Sequence, residues 1–86
     1  MSWKIRIPRK WENFISNLDE INQTAVIRVL DEIQLNPYEN DGNVKKYLPN
    51  KVFKRRAGDY RILYTISKKI KIIDIIKIGH RRNVYK

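Results

Sequence analysis

The fold of this chain is decided by residues 51–80, which read KVFKRRAGDYRILYTISKKIKIIDIIKIGH. β-Branched and aromatic residues dominate this stretch, and two short polar groups, residues 57–59 and 67–69, interrupt it. The pattern predicts three strands, over residues 52–56, 60–66 and 70–78, that are joined by tight turns. Six isoleucines in the third strand indicate that it is central and well buried, and Gly79 is expected to end it.

The residues before this stretch predict one strand and two helices. Apolar and basic residues alternate over residues 2–7, which predicts a strand, and Pro8 suits the opening of a helix. Residues 19–22 are expected to turn the chain into a second helix, which ends at Asn36-Pro37 because a residue before proline avoids helical backbone. The apolar stripes of the two helices are Trp11, Phe14, Ile15 and Leu18, and Val26, Val29, Leu30 and Ile33.

This order of elements predicts an α+β fold with two layers. An N-terminal strand and an antiparallel helical hairpin precede a three-stranded antiparallel meander, which completes a four-stranded sheet within a single domain of residues 1–86. Both helices must cover the same face of the sheet, because nothing else can bury their apolar stripes. We therefore expect the other face to be uncovered, and a ligand to bind there or at its rim.

The charge of the chain is high and unevenly distributed. The formal net charge is +10; residues 1–43 carry five Lys or Arg and seven Asp or Glu, whereas residues 44–86 carry fourteen and two. Such a field costs self-repulsion, and binding to a polyanion such as a nucleic acid is its usual explanation. The alternative is a basic surface that only keeps the protein in solution.

Several classes of protein are disfavoured by composition. The chain has no cysteine and no cluster of metal-ligating residues, so we expect neither disulfides, a metal nor another cofactor. No apolar segment follows the basic N-terminus, as a signal peptide would require, and residues 70–78 are too short and too charged to span a bilayer. These features predict a soluble cytoplasmic protein without a membrane partner.

Three basic segments are candidates for a functional site: residues 51–56, 58–61 and 79–85. Strand alternation puts Val52, Lys54 and Arg56 on one face and Phe53 and Arg55 on the other. Cations on adjacent strands can lie side by side, so Lys54, Arg56 and Arg61 are expected to bind phosphate. For Arg61 the alternative is a salt bridge to Asp59 or Asp74, and for Lys54 and Arg56 it is protection of a sheet edge against aggregation.

These segments also carry a resemblance to a known family. Residues 58–64, GDYRILY, are similar to the GDYRxxY block of RelE-type toxins, and residues 78–85, IGHRRNVY, resemble the closing segment of that family. Asn36-Pro37 and residues 45–49, KKYLP, resemble its helix end and the stretch between helix and sheet. The chain is thus similar over its whole length to RelE/ParE superfamily toxins of type II toxin–antitoxin systems, most of all to the RelE mRNA interferase branch.

The resemblance implies a RelE-like fold and a specific activity. Such a toxin would be a ribosome-dependent endoribonuclease that cleaves mRNA in the A site and so inhibits translation. The ribose 2′-OH attacks the adjacent phosphate and leaves a 2′,3′-cyclic phosphate and a 5′-OH. The implied partners are a RelB-like antitoxin and the ribosome with its mRNA and rRNA.

The resemblance also implies roles for individual residues. Lys54 would activate the 2′-OH, Arg61 would stabilise the phosphorane-like charge, Arg81 would protonate the leaving oxygen, and Tyr85 would orient the base. His80 is an alternative proton donor to Arg81. The remaining basic residues expected to bind RNA are Lys45, Lys46, Lys51, Arg56 and Arg82. The sequence departs from the family pattern at Val52, where a second strand lysine is replaced, and in its shorter tail.

Two other functions remain open at this point. ParE-type members share the fold but inhibit DNA gyrase, and they generally lack the full basic catalytic set. The second alternative is a catalytically inactive RelE-like protein that binds nucleic acid or antitoxin without cutting.

Overall fold

The computed structural model describes residues 3–85, so Met1, Ser2 and Lys86, which the predictions above include, lie outside the described residues. The elements in chain order are β1 (Lys4–Arg6), α1 (Arg9–Ser16), α2 (Glu20–Leu35), a short 3₁₀ helix (Lys45–Tyr47), β2 (Phe53–Ala57), β3 (Tyr60–Ser67) and β4 (Ile72–His80).

The four strands form one sheet in the order β1-β4-β3-β2. Strands β2, β3 and β4 make the predicted antiparallel meander, and β1 lies outside β4 and runs parallel to it. The sheet is therefore mixed. A parallel neighbour requires a crossover connection, and the two helices are part of the connection between β1 and the meander. The predicted α+β class is confirmed, as is the central position of β4.

Helices α1 and α2 pack on the same face of this sheet and enclose the main core. Its fully buried members come from both layers, and examples are Val26 and Ile33 from α2 and Ile62, Tyr64 and Ile73 from the sheet. Trp11, Phe14 and Leu18 of the first predicted stripe pack against this core. The spacing of apolar residues in both helices is therefore explained by burial against the sheet.

Several predicted boundaries are wrong. β1 is limited to Lys4–Arg6, and β4 begins at Ile72 and not at residue 70, because residues 68–71 form the turn and Ile70 is 60% exposed. Residues 19–22 are not a turn, because α2 begins at Glu20 and Asp19 is its N-cap residue. The side chains of Asn22 and Asp19 form a hydrogen bond of 2.6 Å across the first turn of the helix. Gly79 does not end β4, because it pairs with Arg61 and the strand continues to His80. Inside the strand, Gly79 lies in close contact with Val84, which leaves little room for a side chain at position 79.

A β-bulge interrupts the pairing of β3 with β4. Leu63 pairs with Lys77 and Tyr64 with Ile75, so Ile76 has no partner in β3. The carbonyl oxygen of Ile76 instead accepts a hydrogen bond of 3.0 Å from the indole Nε1 of Trp11. The extra residue explains how Ile75 and Ile78, three positions apart, both reach the main core although a regular strand alternates with period two.

The second face of the sheet is partly covered, contrary to the prediction. Val44, Val52, Leu63 and Val84 are buried there together, and Tyr47 packs against them. The cover consists of the connection between α2 and β2 and of the C-terminal turn, residues 81–85. The second face is covered because Leu63 points away from the helices and needs apolar neighbours of its own.

Neither helix within residues 3–85 combines the length and the apolar character that crossing a membrane would require.

Tyr64 connects the main core to the end of α2. It is fully buried, and its hydroxyl donates a hydrogen bond of 2.8 Å to the carbonyl oxygen of Pro37. Burial raises the pKa of Tyr64 to about 12, and the nearby cation of Arg55 opposes that shift. The folded protein therefore holds the phenol proton more tightly than the unfolded chain, in which the tyrosine pKa is about 10.

Replacing Tyr64 by Phe tests this contact. At neutral pH we expect the free energy of unfolding to fall by about 1–3 kcal/mol, because the Pro37 carbonyl oxygen loses its partner. The stabilising contribution of Tyr64 is complete below pH ~10 and is lost as pH rises towards about 12, so the variant should lose less stability than the parent over that interval. Urea unfolding followed by tryptophan fluorescence measures both effects. Tyr38→Phe, at an exposed tyrosine, is the control, and equal alkaline losses in parent and Tyr64→Phe would contradict the assignment.

Candidate functional site

Three cations meet where the second face of the sheet is not covered. The register of β2 and β3 pairs Arg56 with Arg61, and Lys54 lies two residues before Arg56 on the same face. Together with Asp41 and Tyr85 they line a depression of about 270 Å³. We call this depression the cationic cleft. Three positive charges against one carboxylate make the depression suited to an anion.

Lys54 has a strand neighbour on both sides, and its own backbone hydrogen bonds go to the outer one. Its neighbour on one side is β3, and on the other side the chain at residues 41–44 pairs with the outer edge of β2. The amide of Lys54 donates to the carbonyl oxygen of Gly42, and the amide of Asp41 donates to that of Lys54, both at 2.9 Å. Gly42 has a φ of 107°, a conformation that favours glycine, so the sequence supplies the right residue for this turn.

Asp41 is the acidic residue of the cationic cleft. One of its carboxylate oxygens accepts a hydrogen bond of 2.7 Å from the backbone amide of Arg56. The carboxylate thus ties the connection to β2 at the position of the cations. It also offsets part of the repulsion between them, because it lies among like charges.

Arg61 is oriented by backbone oxygens and, among the described residues, by no carboxylate. Its Nη1 donates to the carbonyl oxygens of Gly58, at 3.2 Å, and Tyr60, at 3.0 Å. Neither of the two aspartates that were considered as partners pairs with Arg61. Among residues 3–85, Asp74 pairs with Arg6 at 2.7 Å, and Asp59 has no ion pair. No carboxylate within residues 3–85 pairs with the guanidinium of Arg61, so it is available to a ligand in the cationic cleft.

The C-terminal turn brings Tyr85 to the cationic cleft. The carbonyl oxygen of His80 accepts hydrogen bonds from the amides of Asn83, at 2.8 Å, and Val84, at 2.9 Å. Val84 is buried directly over Gly79, where an added Cβ would lie only 3.2 Å from the Val84 Cβ. Tyr85 follows, and 39% of its surface is exposed, so its ring is available to a ligand.

A second depression adjoins the cationic cleft. It has a volume of about 300 Å³, and its lining residues are Asn43, Val44, Lys45, Lys46, Lys54 and Tyr85. Lys54 and Tyr85 therefore separate the two depressions and belong to both. We call this second depression the side depression. Lys46 also approaches the C-terminal turn, with its Nζ 3.5 Å from the carbonyl oxygen of Tyr85.

Four of the predicted site residues do not line either depression. Lys51, Arg81 and Arg82 are exposed, and the backbone amide of Arg81 donates to the carbonyl oxygen of Asp59 at 2.8 Å. His80 packs edge-on against Tyr60, with 5.4 Å between ring centroids, and its Nδ1 accepts a hydrogen bond from the Arg82 amide. Tyr60 packs against the main core, so His80 lies on the helix side of the sheet, away from Lys54.

Asp41, Asn43 and Val44 also line the depressions, and the sequence did not predict them as site residues. In the connection between α2 and β2, only Lys45 and Lys46 were expected to take part in the site. The signal was present in Asn40-Asp41-Gly42, because this combination is typical of a turn that returns a chain along a strand. Asn40 makes that turn, since its side-chain oxygen accepts a hydrogen bond of 2.9 Å from the Gly42 amide.

A third depression, of about 290 Å³, lies between β1 and the helices. Its apolar lining residues are Ile5, Ile7, Ile15, Ile27 and Leu30, and its charged ones are Glu12 and Asp31. No cation lines it, so it does not suit a phosphate. No group of three or more His, Asp or Glu side chains within residues 3–85 is arranged to hold a metal ion.

Comparison with known proteins defines the family. The sequence model of the ParE toxin of type II toxin–antitoxin systems matches residues 6–85. The chain belongs to the ParE toxin family. This confirms the predicted RelE/ParE superfamily, and it establishes the protein as a toxin of a type II toxin–antitoxin system. No curated protein matches the chain.

Solved structures with the same fold carry RelE names. The RelE–RelB complex of Pyrococcus horikoshii superposes with a TM-score of 0.79 at 20% identity, over 98% of this chain and 100% of that chain. The toxin–antitoxin complex RelBE2 of Mycobacterium tuberculosis gives 0.77 at 20% identity, over 94% and 100%. A mutant of the Escherichia coli toxin RelE in the free state gives 0.68 at 16% identity, over 93% and 84%. At these identities the likeness establishes the fold, not the target of this toxin.

Gly79→Ala tests how the C-terminal turn is held. The added methyl group would lie 3.2–3.4 Å from three atoms of Val84, so the turn must shift by a few tenths of an ångström. We expect a loss of about 1 kcal/mol of stability and faster hydrogen exchange at the Val84 amide, which is bonded to His80. Exchange measured by NMR reports the effect, with Ser67→Ala in β3 as the control. An unchanged exchange rate at Val84 would show that Gly79 does not set the position of the turn.

Proposed function

We propose that this toxin is a ribosome-dependent endoribonuclease that cleaves mRNA in the A site and thereby inhibits translation. The observation that supports it is the cationic cleft, in which Lys54, Arg56 and Arg61 surround a space that is bordered by the ring of Tyr85. Three cations can hold a phosphodiester, and an exposed tyrosine can stack on an unpaired base. The cleft thus suits single-stranded RNA better than a smooth protein surface.

The proposed reaction needs a base, a stabilising charge and an acid. Lys54 takes the proton from the ribose 2′-OH, whose oxygen then attacks the adjacent phosphorus. Arg61 stabilises the negative charge that develops on the phosphoryl oxygens, since its guanidinium is already oriented by two carbonyl oxygens. Departure of the 5′-oxygen leaves a 2′,3′-cyclic phosphate and a 5′-OH.

Protonation of the leaving 5′-oxygen is assigned to Arg81. The backbone of Arg81 is fixed beside the turn between β2 and β3, and its exposed side chain can reach bound RNA. His80, the alternative, is engaged by Tyr60 and by the Arg82 amide. Its role in this proposal is to shape the C-terminal turn.

The proposed partners follow from charge and from the matched complexes. Two of the matched structures are complexes of a toxin with its antitoxin, and we expect a RelB-like antitoxin for this chain. An acidic antitoxin can cover the cationic cleft or displace the C-terminal turn. On the ribosome, in the cytoplasm, rRNA and mRNA phosphates contact Arg56 of the cationic cleft and the cations around it, which are Lys45, Lys46, Lys51 and Arg82.

A second candidate is inhibition of DNA gyrase. It is favoured by one observation, the match of residues 6–85 to the ParE family. On this alternative the basic surface recognises the gyrase–DNA complex, and Lys54 and Arg61 take no part in catalysis.

Mapping of RNA ends in a translating extract tests the proposal. The purified toxin should produce cuts within codons in the A site and none on the same RNA without ribosomes. Arg61→Ala should lower the cleavage rate by roughly 10²–10³-fold, and Lys54→Ala by roughly 10²–10⁴-fold, because each removes a group that acts in the transition state. Arg28→Ala, at an exposed arginine of α2, is the matched control and should cleave normally.

Failure has a distinct signature. If translation continues and no ends appear, the ribonuclease proposal is wrong, and supercoiling by purified gyrase is the next assay. Inhibition there by the same preparation would establish the second candidate.

A further inference from the structure

The side depression has a different character from the cationic cleft that it adjoins. Its floor includes Val44, which is 4% exposed, and one wall is the ring of Tyr85. Lys45 and Lys46 lie at its rim in the 3₁₀ helix. An apolar floor, an aromatic wall and cations at the rim suit a flat, uncharged ring that is attached to a phosphate.

Asn43 is a fixed polar group of this depression. Its backbone forms a bridge to Phe53 of β2, and the Val44 amide donates to the carbonyl oxygen of Val52, the residue before that strand, at 2.8 Å. Asn43 therefore belongs to a short extended segment that pairs along the outer edge of the sheet. A side chain on such a support is held more firmly than one on a free loop.

The amide group of Asn43 has no hydrogen-bond partner within residues 3–85, and the side chain is exposed. Asn40, three residues earlier, contrasts with it, because its oxygen accepts from the Gly42 amide and its nitrogen donates to the Tyr38 carbonyl oxygen. The side chain of Asn40 thus takes part in the turn, whereas the side chain of Asn43 does not. An unengaged amide offers two donors and one acceptor oxygen, which can pair with the edge of a base.

We propose that the side depression binds the nucleobase next to the scissile phosphate and that Asn43 determines which base is accepted. This inference rests on the ribonuclease activity proposed above. Because Lys54 and Tyr85 border both depressions, a base in one and the attacked phosphate in the other belong to neighbouring parts of one RNA strand. The Asn43 amide hydrogen-bonds the base edge, while Tyr85 stacks on its face.

The adjoining lysines have a separable role. An ammonium group at the rim binds a phosphate whatever base it carries, so Lys45 adds affinity without adding selectivity. Lys45→Ala should therefore lower cleavage at all sites by a similar factor. Asn43→Ala should instead change the relative rates of different sites.

The experiment compares cleavage over an mRNA library whose A-site codon is randomised, in a translating extract, with sequencing of the RNA ends. The native chain should prefer particular bases at one codon position. Asn43→Ala should reduce that preference by about fivefold or more, as expected for the loss of one base-edge contact, mainly by slowing cleavage at the preferred sites. Asn43→Asp, which keeps the size but can only accept, should change the preferred base. Asn50→Ala, at an exposed asparagine outside both depressions, should leave the profile as it is.

The outcomes are distinguishable. An Asn43→Ala profile identical to that of the native chain, or a uniform decrease like that of Lys45→Ala, would overturn the role of Asn43 and leave the ribonuclease proposal standing. No cleavage by the native chain would overturn both. A folding defect is detected by thermal unfolding of each variant, and the Asn43→Asp profile then decides the question by itself.

Discussion

The register of β2 is the constraint on which the rest of the structure depends. Lys54 and Arg56 face the cleft only because Phe53, Arg55 and Ala57 face the helices, and a slip of one residue would exchange the two sets. The register is fixed from both edges, by β3 on one side and by the chain at residues 41–44 on the other. A connection that looks irregular in sequence is thus part of the sheet at the point where the site is built.

The cationic cleft gathers three cations that form no side-chain ion pair within residues 3–85. Away from the cleft, Arg55 pairs with Glu32 and Arg6 with Asp74. Within the cleft, Asp41 is the acidic member among three cations, and one of its oxygens is already bonded to a backbone amide. Repulsion among Lys54, Arg56 and Arg61 is relieved when an anion binds, so folding stability and ligand binding should be coupled.

The sequence predicted those parts of the fold that repeat with a regular period. The helical stripes and the three strands of the meander follow from spacings of three to four and of two residues. It did not predict the cover on the second face, because Val44, Val52 and Val84 are isolated apolar residues that meet only after the chain has folded. The boundary at Asp19 was missed because polar residues suit an N-cap as well as a turn.

The candidate site also combines residues that follow a regular period with residues that do not. Lys54, Arg56 and Arg61 were found because alternation within a hairpin brings them together. Asp41 and Asn43 were missed because the pairing of residues 41–44 with β2 leaves no periodic signal. His80 was placed among the site residues by its neighbours in sequence, yet alternation along β4 turns its ring towards Tyr60.

The bulge at Ile76 has a consequence for how chains of this fold can differ in length. A regular strand from Ile72 to His80 would have to turn either Ile75 or Ile78 out of the core, and the unpaired residue avoids this. Loss of Ile76 would leave Lys77, Ile78 and Gly79 facing as they do now, at the cost of the acceptor for Trp11. An insertion or deletion at almost any other position of β4 would turn the remainder of the strand over. When such chains are aligned, a gap of one residue in the middle of the last strand can therefore mark a retained geometry and need not indicate a divergent one.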